Sequence, residues 1–141
     1  MGSLKYLTWA VLVYLACMPP SAFSRTVKNV SVELAGASDI QDDPPSGGCR
    51  AFRPTAAQVR QYFSRAYPVP AKLGAHDRYS PCHAKGTVAF SDNTRGTWKL
   101  SSGGAATLFW DTGDVVSLFY GKYKWHDPFA GMYGLCDEGD C

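Results

Sequence analysis

The clearest local pattern in the sequence predicts a helix between Pro54 and Tyr67. Thr55 followed three residues later by Gln58 is a capping box, in which each side chain bonds the backbone N–H of the other residue. The apolar residues that follow recur at the spacing of one helix face: Val59, Tyr62, Phe63 and Ala66. Prolines end the segment, so we expect a helix of about eleven residues whose apolar face lies on the core.

Beyond residue 86 the apolar positions alternate with smaller or polar ones, as in strands that bury one face. Four runs follow this pattern, with inward positions at Val88 and Phe90, Trp98 and Leu100, Leu108 and Trp110, and Val116, Leu118 and Tyr120. Short turns rich in Gly, Asp and Ser separate the runs, and such connections make neighbouring strands antiparallel. The pattern therefore predicts an α+β domain, with one N-terminal helix packed on a four-strand antiparallel meander. A small closed barrel is the alternative topology.

The first 24 residues predict a secretory signal peptide. An apolar run extends from Tyr6 to Met18, and the small residues Ala22 and Ser24 favour cleavage before Arg25. The run is shorter than the roughly 20 residues of a membrane span, which favours a signal peptide over a membrane helix. No transmembrane segment is expected in the mature chain. Lipoprotein processing at Cys17 is the alternative.

Residues 25–48 are interpreted as a flexible arm or linker that leads into the domain. Val30, Val32 and Leu34 alternate with polar residues and fit a short strand, but the run of Asp, Pro, Ser and Gly at 42–48 has no regular pattern. The sequence therefore predicts one compact disulfide-containing domain over residues 49–141.

Four cysteines remain after the expected cleavage: Cys49, Cys82, Cys136 and Cys141. In an oxidising compartment an even number favours disulfides, and three pairings are possible. Cys136 and Cys141 are close enough to close a small loop, which leaves Cys49 to pair with Cys82. The spacing contains no CxxC pair, so a zinc site of four thiolates would be irregular.

Composition limits the function classes. The chain of 141 residues is 45% hydrophobic and 13% aromatic, which is typical of one small globular domain rather than a disordered chain. The net charge of +2 is too small for a general nucleic-acid binder, so no nucleic acid is expected as a partner.

The charge is small in total but unevenly distributed along the chain. Residues 50–85 contain seven Lys and Arg residues against one Asp, whereas residues 86–141 contain four against seven Asp and Glu residues. The sequence therefore predicts a basic side formed by the helix and the loop after it, with Arg60 and Arg65 as binding residues for an acidic protein. An ordinary solvated face is the alternative interpretation.

Aromatic residues are concentrated near the end of the chain, with seven of them within residues 110–133. Tyr123 lies between two lysines and Trp125 follows, so this strand end is interpreted as a recognition edge of rigid aromatic and cationic groups. A second small core that covers the open face of the sheet is the alternative interpretation.

The candidates for chemistry are weak. His76, His83 and His126 could supply imidazole ligands, and His76 and His126 each precede an aspartate, but their spacing matches no metal motif. The chain also lacks the GxSxG turn of many serine hydrolases. No cofactor is expected.

Several segments resemble small exported proteins of Gram-negative bacteria. The resemblance lies in Cys49–Thr55, His76–Cys82, Phe90–Asp92 with Trp98, and Trp125–Pro128 with Tyr133-Gly134. It implies a periplasmic or secreted location and a role as an inhibitor or immunity protein against an envelope-targeting toxin, and it transfers no catalytic residue. We therefore expect a protein-binding domain. The alternatives are a small metal-assisted envelope hydrolase that uses the histidines, and a structural envelope component.

Overall fold

A computed structural model describes residues 25–40 and 48–133. Its regular elements are β1 (Val27–Ser38), α1 (Ala56–Arg65), β2 (Tyr67–Pro68), β3 (Cys82–Phe90), β4 (Arg95–Ser101), β5 (Ala105–Trp110) and β6 (Val115–Phe119). A 3₁₀ turn over Cys49–Ala51 precedes the helix, and a π-helical turn over Leu73–Asp77 precedes β3. Within the described residues no helix is long and apolar enough to cross a membrane.

Helix α1 forms where the capping box predicts it. The Thr55 hydroxyl accepts a hydrogen bond from the Gln58 backbone N–H at 3.2 Å, and the Gln58 side chain accepts one from the Thr55 N–H at 2.8 Å. Val59, Tyr62 and Phe63 are buried. The predicted apolar stripe is therefore the face that packs on the sheet.

The sheet is antiparallel and open, with the strand order β1-β3-β4-β5-β6-β2. The α+β class is confirmed, and β3 to β6 form the predicted meander. The predicted number of four strands is wrong, because β1 pairs with β3 at one edge and the two-residue β2 pairs with β6 at the other.

Strand β1 corrects the interpretation of residues 25–48 as a flexible arm. Val30 lies opposite Val88 and Val32 opposite Gly86, so residues 27–38 of this segment belong to the sheet. Gly86 makes the close pairing possible, because a Cβ there would lie 1.9 Å from the Ser31 carbonyl oxygen. Residues 41–47 lie outside the described part of the chain.

The two faces of the sheet have different chemistry. On the inner face Trp98 lies between Gly86 and Leu108, and its ring centroid is 5.9 Å from that of Phe63 on α1. The outer face carries a row of directly paired polar residues that crosses β3 to β6: Lys85, Lys99, Thr107 and Ser117. The core therefore lies between α1 and the inner face.

One disulfide ties the entry of the helix to the sheet. Cys49 and Cys82 are bonded, as predicted, and both are fully buried. The bond links the 3₁₀ turn before α1 to the first residue of β3, and so holds α1 against the inner face. The expected signal peptide at 1–24, with Cys17, and the predicted pair of Cys136 and Cys141 lie outside the described residues.

Candidate functional site: a basic face around the helix

Exposed cations lie on α1 and on the segments that lead to it or contact it, and together they form what we call the basic face. They come from the start of β1, the segment before the helix, the helix itself and the loop after β6: Lys28, Arg50, Arg53, Arg60, Arg65, Lys122 and Lys124. The predicted binding residues Arg60 and Arg65 both belong to this surface.

Hydrogen bonds bring these segments together. The Arg60 guanidinium donates to the carbonyl oxygens of Val27 at 2.8 Å and Lys28 at 3.0 Å. From the same helix, the Gln58 side-chain amide donates to the Lys124 carbonyl oxygen at 3.0 Å. The helix therefore contacts both β1 and the loop after β6, which places cations from distant parts of the sequence around one element.

Carboxylates do not neutralise the basic face within residues 25–40 and 48–133. The ion pairs between described residues lie at the hairpin ends and on the outer face: Arg25 with Asp92, Arg95 with Asp111, and Lys99 and His83 with Asp39. The described part of the chain therefore carries an unbalanced positive surface on the helix side, which attracts anionic groups over about a Debye length of 8–10 Å.

Trp125 is not part of an exposed recognition edge, which corrects its interpretation as a surface anchor. Its side chain is 7% exposed, and its indole N–H donates to the Ser102 carbonyl oxygen at 2.9 Å. The ring stacks on Tyr123 with centroids 4.7 Å apart and also contacts Phe52 and Tyr62. Trp125 is therefore part of the main core on the helix side, together with Phe52 and Tyr62, and it is neither an exposed anchor nor part of a separate second core on the open face of the sheet.

Tyr123 is also held from within the domain. Its hydroxyl donates to Asp127 at 2.8 Å, and the Tyr133 hydroxyl donates to the same carboxylate at 3.0 Å. Burial raises the pKa of Tyr133 to about 12, and the bond to Asp127 acts in the same direction. Burial and Asp127 likewise raise the pKa of Tyr123. Both phenols therefore stay protonated at neutral pH and fix the loop over the end of the sheet.

The three histidines are distributed over separate elements. His76 is exposed in the π-helical turn, His126 is exposed in the loop after β6, and His83 is buried in β3. Among the described residues no group of three His, Cys, Asp or Glu side chains is placed to hold a metal ion. The residues proposed as metal ligands therefore do not share a site in this part of the chain.

His83 belongs instead to a cluster on the outer face that the sequence did not indicate. Lys99 Nζ donates to both Asp39 oxygens, at 3.0 and 2.9 Å. His83 Nδ1 lies 3.2 Å from Asp39 Oδ1, although the angle is not that of a hydrogen bond. Burial lowers the pKa of His83, and the Asp39 carboxylate opposes this shift only in part. The imidazole is therefore neutral at pH 7.

Asp39 was overlooked because it lies within the segment interpreted as a flexible arm. Its backbone N–H donates to the Pro81 carbonyl oxygen at 2.9 Å, which fixes the end of β1 beside the start of β3. The alternation at Val30 and Val32 does not identify this position, because β1 shifts its register against β3 on both sides of Leu34.

Comparison of the chain with protein-family models, curated proteins and solved structures finds no match. The functional argument therefore rests on the residues themselves.

Proposed function

We propose that this protein is a protein-binding domain that recognises an acidic surface of its partner through the basic face. The observation that supports the proposal is the set of exposed cations around α1 without a carboxylate partner among the described residues. Charge complementarity of this kind raises the rate of association and excludes partners of the wrong charge. An inhibitor or immunity role against an envelope-targeting toxin is the narrower form of the proposal.

The rigidity of the basic face favours binding. The capping box fixes the start of α1, the disulfide holds its entry segment, and Arg60 ties its middle to β1. A preorganised surface loses little conformational entropy when the partner docks. The buried disulfide is also compatible with the periplasmic or extracellular location that forms part of this proposal.

Charge reversal on the basic face tests the proposal. The variant combines Arg53→Glu, Arg65→Glu and Lys124→Glu, all at exposed positions. Arg60 is left intact because its two bonds hold α1 to β1, and their loss would change stability as well as binding. Arg53 bonds only a carbonyl oxygen of its own segment, and Arg65 makes one long bond of 3.4 Å to the Tyr120 hydroxyl, so a thermal melt checks that the variant is folded. The partner is first captured from envelope extract with the wild-type protein and identified by mass spectrometry, and binding kinetics are then measured with that purified partner.

We expect the triple variant to associate at least about tenfold more slowly at low salt, and the difference to shrink as ionic strength rises. Arg95→Glu is the matched control, since Arg95 is an exposed cation at a hairpin end, away from the helix. Equal effects of the control and the triple variant, an unchanged association rate, or the capture of no partner by the wild-type protein would overturn the proposal.

A further inference from the structure

A cleft of about 280 Å³ lies on the outer face of the sheet. Its floor is formed by outward side chains of β4 to β6, and its roof by the segment 69–80, which includes the π-helical turn. A Cβ on Gly74 would lie 3.0 Å from the Ala105 Cβ, so roof and floor are in close contact at that point. The cleft is thus walled on one side, and it is distinct from the basic face around α1.

Hydroxyl groups dominate the polar lining. Thr107 and Ser117 are direct cross-strand partners, and Ser101, Ser80 and Tyr79 also line the space. Two of these hydroxyls are closed to the cleft, since the Ser101 Oγ is buried and the Ser80 Oγ is 2.6 Å from that of Ser102. The hydroxyls that a ligand can reach are therefore those of Thr107 and Ser117, which are half-buried, and of Tyr79, which is exposed.

The charged groups in the lining cancel. Lys99 and Asp39 are the charged lining residues, and they bond each other at 2.9 and 3.0 Å. A charged ligand would gain little net Coulomb energy here, and it would have to break this pair to bind either group. A neutral ligand with several hydroxyls can instead donate to Asp39 and accept from Lys99 while the pair stays intact.

The remaining lining is apolar and shallow. Val69, Ala71 and Ala75 contribute aliphatic surface, and Tyr79, which is 49% exposed, stands among the lining residues. A ligand for this lining needs hydroxyl groups for the polar side chains and an apolar surface for the aliphatic ones. A sugar ring has both, since hydroxyls project from its edge and its faces carry C–H groups that pack on apolar side chains.

We propose that this cleft is a second binding site that takes a neutral, hydroxyl-rich ligand of about the size of one sugar ring. The site lies on the outer face, so its occupation does not require the basic face to be free. The two sites can therefore be tested separately on one protein.

The test is a titration of ¹⁵N-labelled protein with neutral monosaccharides, namely glucose, galactose, N-acetylglucosamine and ribose. We expect saturable amide shifts at the lining residues of β4 to β6, with a Kd in the millimolar range for at least one sugar. Thr107→Val keeps the side-chain shape, removes one lining hydroxyl and should weaken binding by about fivefold.

Thr97→Val is the matched control, because Thr97 lies on the outer face of β4 but outside this cleft. It should leave sugar binding within about twofold of wild type. Thermal melts of both variants check that each is folded. The basic-face triple variant should bind the sugar normally, which separates a failure here from a failure of the proposed protein binding.

Three results would overturn the inference. The first is the absence of saturable shifts with all four sugars up to about 100 mM. The second is an equal loss of binding in Thr97→Val and Thr107→Val. The third is tighter binding of glucuronate or glutamate than of the neutral sugars, which would show that the Lys99–Asp39 pair opens to take a charged ligand.

Discussion

Neighbouring residues of β4 show how differently the two faces of the sheet are used. Trp98 and Leu100 on the inner face are 1% and 0% exposed beneath α1, whereas Thr97 on the outer face is open to solvent. The inner face is sealed by apolar and aromatic contacts, and the outer face keeps hydroxyls, charges and a cleft. Successive residues of one strand therefore face opposite sides of the sheet. One packs in the core, and the next is free to contact solvent or a ligand.

This difference separates stability from binding. Substitutions on the inner face are expected to lower the free energy of unfolding, because the core is closely packed and neighbouring side chains cannot replace the van der Waals contacts that are lost. Substitutions at exposed positions of the outer face or of the basic face should leave the fold intact, so their effects on binding can be interpreted directly. The predictions below test this separation, starting with the largest effect.

Replacing Trp98 by alanine should give the largest loss of stability. Its side chain is fully enclosed and packs on Phe63, so Trp98→Ala should lower the free energy of unfolding by about 3–5 kcal/mol. Thr97→Ala, one residue away on the outer face, should cost less than about 1 kcal/mol. Urea denaturation followed by circular dichroism measures both, and similar losses in the two variants would contradict the assignment of the faces.

Loss of the disulfide should come next. Cys49→Ala with Cys82→Ala opens a loop with a sequence separation of 33 residues, and it should lower the free energy of unfolding by about 2–5 kcal/mol. Both sulfurs are buried on the helix side of the sheet, so the helix entry should loosen before the outer face does. Hydrogen exchange can follow this, with protection expected to fall at Phe52 and Val59 more than at Thr107. Equal loss of protection at all three would count against a local role.

The sequence predicts those parts of the molecule whose signals are local. The capping box at Thr55 and Gln58 and the alternation around Trp98 and Leu108 each lie within a few residues, and both elements form as expected. The sequence does not predict the full extent of β1, because its partner strand is distant in sequence: Val30 pairs with Val88. Such pairing depends on shape complementarity at Gly86, which a sequence pattern does not reveal.

The candidate sites, too, are predictable only where they depend on residues that are close together in the sequence. Clustering of cations in the sequence predicts only part of the basic face. Arg60 and Arg65 belong to it, but in the segment predicted with them Arg78 is buried and Lys85 lies on the outer face. Other cations reach the face from distant segments that contact α1.

The exposure of Trp125 could not be judged from the sequence pattern, because its burial depends on Phe52 and Tyr62 from distant segments. The cleft was missed for a similar reason, since it joins Asp39 at the end of β1 to Lys99 and Ser117 on other strands.

The smallest predicted effect is a dependence of stability on pH through His83, which lies on the outer face opposite Ser101 and is nevertheless buried. Burial lowers the pKa of His83 in the folded protein, so the unfolded chain binds this proton more readily. The free energy of unfolding should therefore be insensitive to His83 above the ordinary histidine pKa of about 6.5 and should fall as the pH drops below it. Urea denaturation between pH 8 and pH 5 should show a steeper loss in the wild type than in His83→Gln, which lacks the titrating group. Parallel curves would mean that His83 is protonated as easily in the folded protein as in the unfolded chain, and that the end of β1 does not seal this part of the outer face.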